Sequence, residues 1–211
     1  MKQVSRLGKF NNSPYFSIDA LKQAFNLSDN SLYQNIKRWL KNGLIIQLKK
    51  GMYVTQKYLD NYGDKNIYLE FLANNLRYPS YLSLEYVLQK YNILTESIYA
   101  YISVTLKTKR SYANELGKFL YFQIDSDLFI GYDKVILSGY EVKIANKSKA
   151  LFDYLYYRKN RIENKNSLES LRLNIDNFKR NEIKEFSRYC RLEGSKKMMN
   201  IYKFLFKKND S

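Results

Sequence analysis

The sequence of 211 residues contains no histidine, one cysteine, two prolines and eight glycines. Without histidine there is no imidazole general base, Ser-His-Asp triad or Cys-His pair, and a single thiol excludes thiolate zinc sites and internal disulfides. The few glycines form no phosphate-binding loop. Carboxylates are therefore the remaining candidates for catalytic or metal-binding groups.

One carboxylate pair has a suggestive spacing. Asp125 and Asp127 are spaced like a two-metal pair of nucleotidyltransferases, but no Gly-Ser motif precedes them, and Gly194-Ser195 lies far downstream. A turn between strands explains the pair better. We therefore expect no catalytic residue, no metal, no cofactor and no enzymatic activity.

Long apolar runs are also missing. The longest runs are short, such as Ile45-Ile46, and lie far below the roughly 20 residues that a membrane span needs. Residues 1–10 lack a signal-peptide core. The lone thiol fits a reducing compartment. We expect a soluble cytoplasmic protein without a membrane partner.

Basic residues are in excess, with 36 Lys and Arg against 20 Asp and Glu and a net charge of +16. Such an excess favours a polyanionic partner, although the predominance of Lys also fits an AT-rich coding sequence. The net charge is +7 in residues 1–60, zero in 61–145 and +9 in 146–211. With the turn-forming residues 60–64, this predicts a domain at 1–60 and another at 61–211, the latter comprising a core at 61–157 and a basic helical part at 158–211.

The first domain has the pattern of a winged helix-turn-helix. Ser17 can cap one helix, and a second ends at Asn42-Gly43 after the apolar stripe Leu32, Ile36, Trp39, Leu40. A weaker helix from Val4 to Phe10 would complete the bundle. The β-prone runs 44–48 and 52–55 flank Lys49-Lys50-Gly51 and predict a hairpin wing.

The second helix would turn a polar face without acidic residues to the solvent. Asn30 and Gln34 can make paired hydrogen bonds to adenine edges, whereas its cations would hold phosphates. An ordinary solvated face, or a protein contact, is the alternative. The predicted DNA-binding residues are Asn30, Ser31, Tyr33, Gln34, Lys37, Arg38, Lys41, Lys49 and Lys50.

The middle of the chain predicts an α+β fold. One helix would run from about Ile67 to Arg77, stopped by Pro79, and a second would start at the potential cap Ser83. Strand-like runs cover 98–105, 119–124, 128–130, 134–137 and 140–144. We expect a mostly antiparallel sheet with both helices on one face.

Three segments of this region resemble the AbiEi-type antitoxins of type IV toxin-antitoxin and abortive-infection systems: residues 81–94, the strand end Val104-Thr105, and residues 144–153. Asn92 stands where the family usually has glycine. The resemblance implies an N-terminal winged helix and a C-terminal antitoxin domain. It also implies a co-encoded nucleotidyltransferase toxin, countered without a stable complex.

Basic residues of the last third form a second candidate surface. Asn146 or Ser148 can cap a helix whose first turn contains Lys147 and Lys149, where cations are electrostatically unfavourable unless they hold an anion. Helical series follow in 168–175 and 178–190, with a last helix from about Ser195. The candidate anion or antitoxin surface consists of Lys147, Lys149, Arg158, Arg161, Lys179, Arg180, Arg188 and Arg191.

These observations predict an antitoxin and autorepressor that binds double-stranded DNA, expected to be repeats in its own promoter. Two alternatives remain. One is a winged-helix transcription factor whose second domain senses a ligand or oligomerises. The other is an interaction protein whose basic C-terminal helices bind RNA or the toxin.

Overall fold

The computed structural model describes residues 6–207, which divide into two compact units. The first contains residues 6–69 with 112–117, and the second contains 70–111 with 118–207. The chain thus passes between units at Leu69, inside a helix, and not at the predicted boundary of residues 60–64. Val4, the predicted start of the first helix, lies outside the described residues. None of the described helices is long and apolar enough to cross a membrane.

In the first unit, a 3-10 helix near the start of the described residues precedes two helices and a hairpin. Its elements are the 3-10 helix Gly8–Phe10, β1 (Phe16–Ser17), α1 (Ile18–Phe25), α2 (Asp29–Lys41), β2 (Ile45–Lys49), β3 (Met52–Thr55), α3 (Gln56–Asn61) and the start of α4 (Lys65–Leu76). The strands form an antiparallel sheet in the order β1-β3-β2. As predicted, the Ser17 hydroxyl caps α1 by accepting the Ala20 N–H at 3.1 Å.

The core of this unit contains the predicted apolar stripe. Leu32, Ile36 and Trp39 are buried, and the Trp39 ring centroid lies 5.1 Å from that of Phe25 on α1. Because these residues recur every three or four positions, they share one face of α2. Burying that face leaves the opposite face of α2 in solvent.

The second unit is a six-stranded sheet with helices, so the chain has a mixed α+β fold. Its elements are β4 (Ser80–Leu82), α5 (Leu84–Lys90), β5 (Ala100–Thr105), β6 (Arg110–Asn114, which crosses into the first unit), β7 (Gly117–Gln123), the 3-10 helix Ser126–Leu128, β8 (Tyr132–Leu137), β9 (Tyr140–Ala145), α6 (Lys147–Tyr156), α7 (Lys165–Glu169), α8 (Arg180–Glu193) and α9 (Lys196–Phe206). The strand order is β6-β7-β5-β4-β9-β8.

This sheet is mixed, which corrects the expectation of a mostly antiparallel one. β4 pairs with β5 and β8 with β9 in antiparallel fashion, but β5 and β7 are parallel, as are β4 and β9. The parallel pairs join strands separated along the chain, and strand patterns in a sequence do not reveal such partners. The short central strand β4 and the polar strand β6 were not predicted.

Of three further local predictions, one was wrong, one is confirmed and one was incomplete. Residues 128–130 are no strand, because a 3-10 turn occupies Ser126–Leu128. Asp125 and Asp127 are exposed at this turn, which confirms their interpretation as turn residues. The helical series predicted over 168–175 is limited to α7, which ends at Glu169.

Candidate nucleic-acid interface

The outer face of α2 presents the predicted polar set to the solvent. Asn30, Ser31, Tyr33, Gln34, Lys37, Arg38 and Lys41 are all exposed, as is Lys50 in the hairpin turn, whereas Lys49 is half-buried. Tyr33 keeps 51% of its surface accessible. The structure therefore brings seven of the nine predicted residues together on one helix.

A buried amide supports this face from below. Asn35 is 7% exposed; its Nδ2 donates to the Ser31 carbonyl at 2.9 Å, and its Oδ1 accepts from Arg38 Nη2 at 2.6 Å. Asn35 thereby restricts the guanidinium of Arg38 to one side of the helix. Sequence reasoning missed this residue, and its signal was an Asn within the apolar stripe beside Ile36.

The acidic residue nearest the start of α2 is neutralised locally. Asp29 lies in the first turn of α2, where a carboxylate is favoured, and its Oδ1 is 2.9 Å from Lys22 Nζ. The hydrogen bond and charge of Asp29 raise the pKa of Lys22 above its ordinary value. The outer face of α2 thus keeps its cationic character.

The β2–β3 turn presents Lys50 through a glycine. Gly51 has φ +77°, a backbone conformation that residues with a Cβ rarely adopt. Its carbonyl accepts the Ile18 N–H at 3.0 Å. Lys49 lies with its Nζ 6.0 Å from the Tyr112 ring centroid. Asn114 Nδ2 donates to the Leu48 carbonyl at 2.9 Å. Residues 112–117 of the first unit therefore support the outer strand of the hairpin.

The candidate surface of the second unit is only partly a surface. Lys149 has no exposed side-chain area: its Nζ lies 2.7 Å from Asp153 Oδ1 and donates to the Leu128 carbonyl at 2.7 Å. Burial lowers the pKa of Lys149 and raises that of Asp153, and their mutual attraction opposes both shifts. Lys149 is therefore a core residue, which corrects its placement on an anion-binding surface.

The neighbourhood of Asp153 also corrects the role expected for Ser83. Ser83 occupies the N-cap position of α5, but its hydroxyl makes no cap bond and donates to Asp153 Oδ2 at 2.7 Å. The Tyr81 hydroxyl donates to the same oxygen at 3.0 Å. Burial, together with the charge of Asp153, raises the pKa of Tyr81 well above its ordinary value. The predicted cap Asn146, by contrast, accepts the Lys149 N–H at 2.8 Å.

Two more of the predicted cations are engaged inside the unit. Lys147 Nζ donates to the Asn177 carbonyl at 2.6 Å and to Glu182 Oε2 at 3.1 Å. Arg158 forms an ion pair with Glu85. The remaining predicted cations are exposed: Arg161, Lys179, Arg180, Arg188 and Arg191.

The exposed face of α2 combines amide groups with cations, the two kinds of group with which proteins read base edges and hold phosphates. Its residues project from one regular helix that is anchored by a buried stripe, so their spacing is set by helix geometry. Neither a protein-family model nor a curated protein matches the chain.

Proposed function

We propose that the first unit is a winged helix-turn-helix that binds double-stranded DNA, with α2 as recognition helix and the β2–β3 hairpin as wing. The observation that carries this proposal is the outer face of α2, where all seven predicted residues are exposed on one helix. Asn30 and Gln34 would contact base edges in the major groove. Lys37, Arg38 and Lys41 would hold phosphates, and Lys50 would reach the flanking backbone.

We further propose that the chain is the antitoxin and autorepressor of a type IV toxin-antitoxin system, acting in the cytoplasm on its own promoter. The resemblance to AbiEi-type antitoxins rests on three separate segments, and two of them supply the buried network of Tyr81, Ser83, Lys149 and Asp153. Asn92, at the position where the family usually has glycine, has φ +55°. The motif residues of these two segments thus meet in one buried network, and Asn92 has the left-handed conformation that glycine adopts most readily.

A gel-shift titration tests the DNA-binding part. The probes are the duplex upstream of the gene and a random duplex of equal length, each at two salt concentrations. Gln34→Ala should reduce the preference for the first duplex, since it removes a base contact. Lys37→Ala/Arg38→Ala should weaken both complexes and flatten the salt dependence by about 1 to 2 in slope.

The matched control is Lys9→Ala/Lys57→Ala, which removes the same charge from exposed positions outside α2 and the hairpin. We expect its titration to resemble that of the wild type. Equal affinity of the wild type for both duplexes would refute sequence-specific binding.

Co-expression tests the antitoxin part. A nucleotidyltransferase encoded beside this gene should arrest growth when it is expressed alone from an unrelated promoter, and the intact chain, supplied from a second plasmid, should restore growth. Because that promoter removes repression as an explanation, rescue would reflect neutralisation. Continued arrest, with the chain present at normal levels, would refute the antitoxin role.

A further inference from the structure

Helix α8 separates its charges by sign. Arg180, Lys184, Arg188 and Arg191 are exposed and follow one another at intervals of four, four and three residues. At about 100° per residue, these four positions fall within about 80° of the helix circumference and extend over about 17 Å. We call these four residues the α8 stripe.

The acidic residues of α8 lie away from the stripe and have partners within the unit. Glu182 accepts from Lys147 Nζ and from the Lys179 N–H, the latter at 2.7 Å. Glu185 Oε1 accepts from the Asn146 amide at 3.1 Å and from the Tyr189 hydroxyl at 2.8 Å.

Glu193 completes this pattern. It pairs with Lys159, and its Oε2 accepts from the Ser195 hydroxyl at 2.6 Å. Each carboxylate of α8 therefore has an internal partner, and no acidic residue in the described part of the chain forms an ion pair with the stripe.

Buried residues hold the stripe outward. Phe186 and Tyr189 lie on the opposite side of α8 and are fully buried, so the helix cannot rotate without exposing them. The stripe is thus an exposed row of four cations on a fixed helix, in which the Arg188 guanidinium also lies 5.4 Å from the Tyr189 ring centroid. Such a row complements the phosphates along a nucleic-acid backbone, and a contact between cations and phosphates does not depend on the base sequence.

We propose that the α8 stripe is a second, sequence-independent contact to the sugar-phosphate backbone of double-stranded DNA. The choice of duplex DNA as partner rests on the proposed function, which already attaches the chain to DNA through α2. A second contact on the same chain increases affinity because it forms within the existing complex. The α8 stripe then contributes affinity, and α2 contributes sequence preference.

The test measures the slope of log K against log salt concentration for the intact chain with the upstream duplex and with a random duplex. The stripe variant is Arg180→Gln/Lys184→Gln/Arg188→Gln/Arg191→Gln. The matched control, Lys107→Gln/Lys118→Gln/Lys134→Gln/Lys203→Gln, removes four exposed charges elsewhere in the second unit. Circular dichroism verifies that both variants fold.

In the stripe variant, the magnitude of the slope of log K against log salt concentration should fall by about 3 to 4 on either duplex. The ratio between the affinities for the two duplexes should stay constant. The control should keep the wild-type slope. Equal slopes for the two variants would overturn the proposal. So would an unchanged slope on DNA combined with lost binding to a transfer RNA probe, which would assign the stripe to RNA.

Failure of the proposed function gives a different result. If the wild type does not distinguish the two duplexes, sequence-specific recognition by α2 is refuted. The slope difference between the stripe variant and its control can still be measured on the random duplex, so the two failures are separable.

Discussion

The ammonium of Lys149 and the carboxylate of Asp153 lie 2.7 Å apart, one helical turn from each other on α6, and neither side chain has exposed surface. Both ions also bind neutral groups, because Lys149 donates to the Leu128 carbonyl and Asp153 accepts from Ser83 and Tyr81. The pair therefore connects α6 to the segments around residues 81–83 and 128.

Breaking this pair should destabilise the protein strongly. Lys149→Met leaves a buried carboxylate without its cation, and we expect a loss of about 3 to 5 kcal/mol in the free energy of unfolding. Lys149→Met/Asp153→Leu removes both charges and should cost less than the sum of Lys149→Met and Asp153→Leu. Urea titrations measure all three variants. Additive losses would show that the two charges do not depend on each other.

Two glycines with similar φ angles should differ in their tolerance of a side chain. Gly131 has φ +77°, and a Cβ there would lie 2.2 Å from the Tyr189 hydroxyl oxygen and 3.1 Å from Lys149 Cβ. Gly139, in the β8–β9 turn, has φ +84° and no neighbouring atom within 4 Å of a Cβ. Gly139→Ala measures the backbone cost alone, about 1 to 2 kcal/mol.

Gly131→Ala should cost about 1 to 3 kcal/mol more, because Tyr189 must move. Thermal or urea unfolding of the two variants provides the comparison. Equal losses would indicate that the Tyr189 ring shifts without cost.

The contribution of Glu193 should depend on pH. Burial acts to raise the pKa of Glu193, but hydrogen bonds from Lys159 and Ser195 outweigh it and hold the pKa below its ordinary value of 4.5. A depressed folded-state pKa stabilises the fold above the unfolded-state pKa, and this contribution disappears as the pH falls through the folded-state value.

Glu193→Gln should therefore lower the unfolding temperature at pH 7, and the difference from the wild type should shrink as the pH falls below about 4.5. Glu169→Gln serves as the control, because Glu169 is exposed and its Oε1 lies 3.8 Å from Nζ of the exposed Lys165. A pH-independent difference for Glu193→Gln would indicate lost packing instead of lost charge.

The single thiol should be unreactive in the folded protein. Cys190 is fully buried, and burial raises the pKa of its thiol to about 12. Because the thiolate is the nucleophile, a disulfide reagent at pH 8 should modify no thiol in the native state and one thiol per chain in denaturant. Rapid modification under native conditions would show that α8 opens readily.

Local signals predicted the two main helices and the hairpin of the first unit. The stripe around Trp39, the cap Ser17 and the glycine after Lys50 each act within a few residues, so their effects are legible in the sequence.

The strand β4 escaped prediction because three residues are too few to show the two-residue period of a strand. Ser83 has the residue type and position of an ordinary helix cap, so its bond to Asp153 was not predicted. The strand β6 escaped because its half-buried positions are Tyr112 and Asn114 and an exposed one is Ala113, so its sequence shows no alternation of apolar and polar residues.

Side-chain pairing over long distances could not be predicted. The sequence predicts a surface position for Lys149 because Lys is usually exposed, and no local signal indicates that Leu128, Ser83 and Tyr81 surround the pair. The α8 stripe was visible only as scattered basic residues. Its separation from the acids of the same helix became evident once their partners were known.

The return of residues 112–117 to the first unit determines how this protein can be dissected. A fragment that ends at Leu69 would lack Tyr112 and Asn114, and with them the hydrogen bond to the Leu48 carbonyl. A fragment that begins at Glu70 would carry those six residues without their neighbours. Cutting the chain at one position therefore cannot yield two intact units, and truncations will underestimate the activity of each unit. Point substitutions in the whole chain are the sounder way to assign a function to each unit.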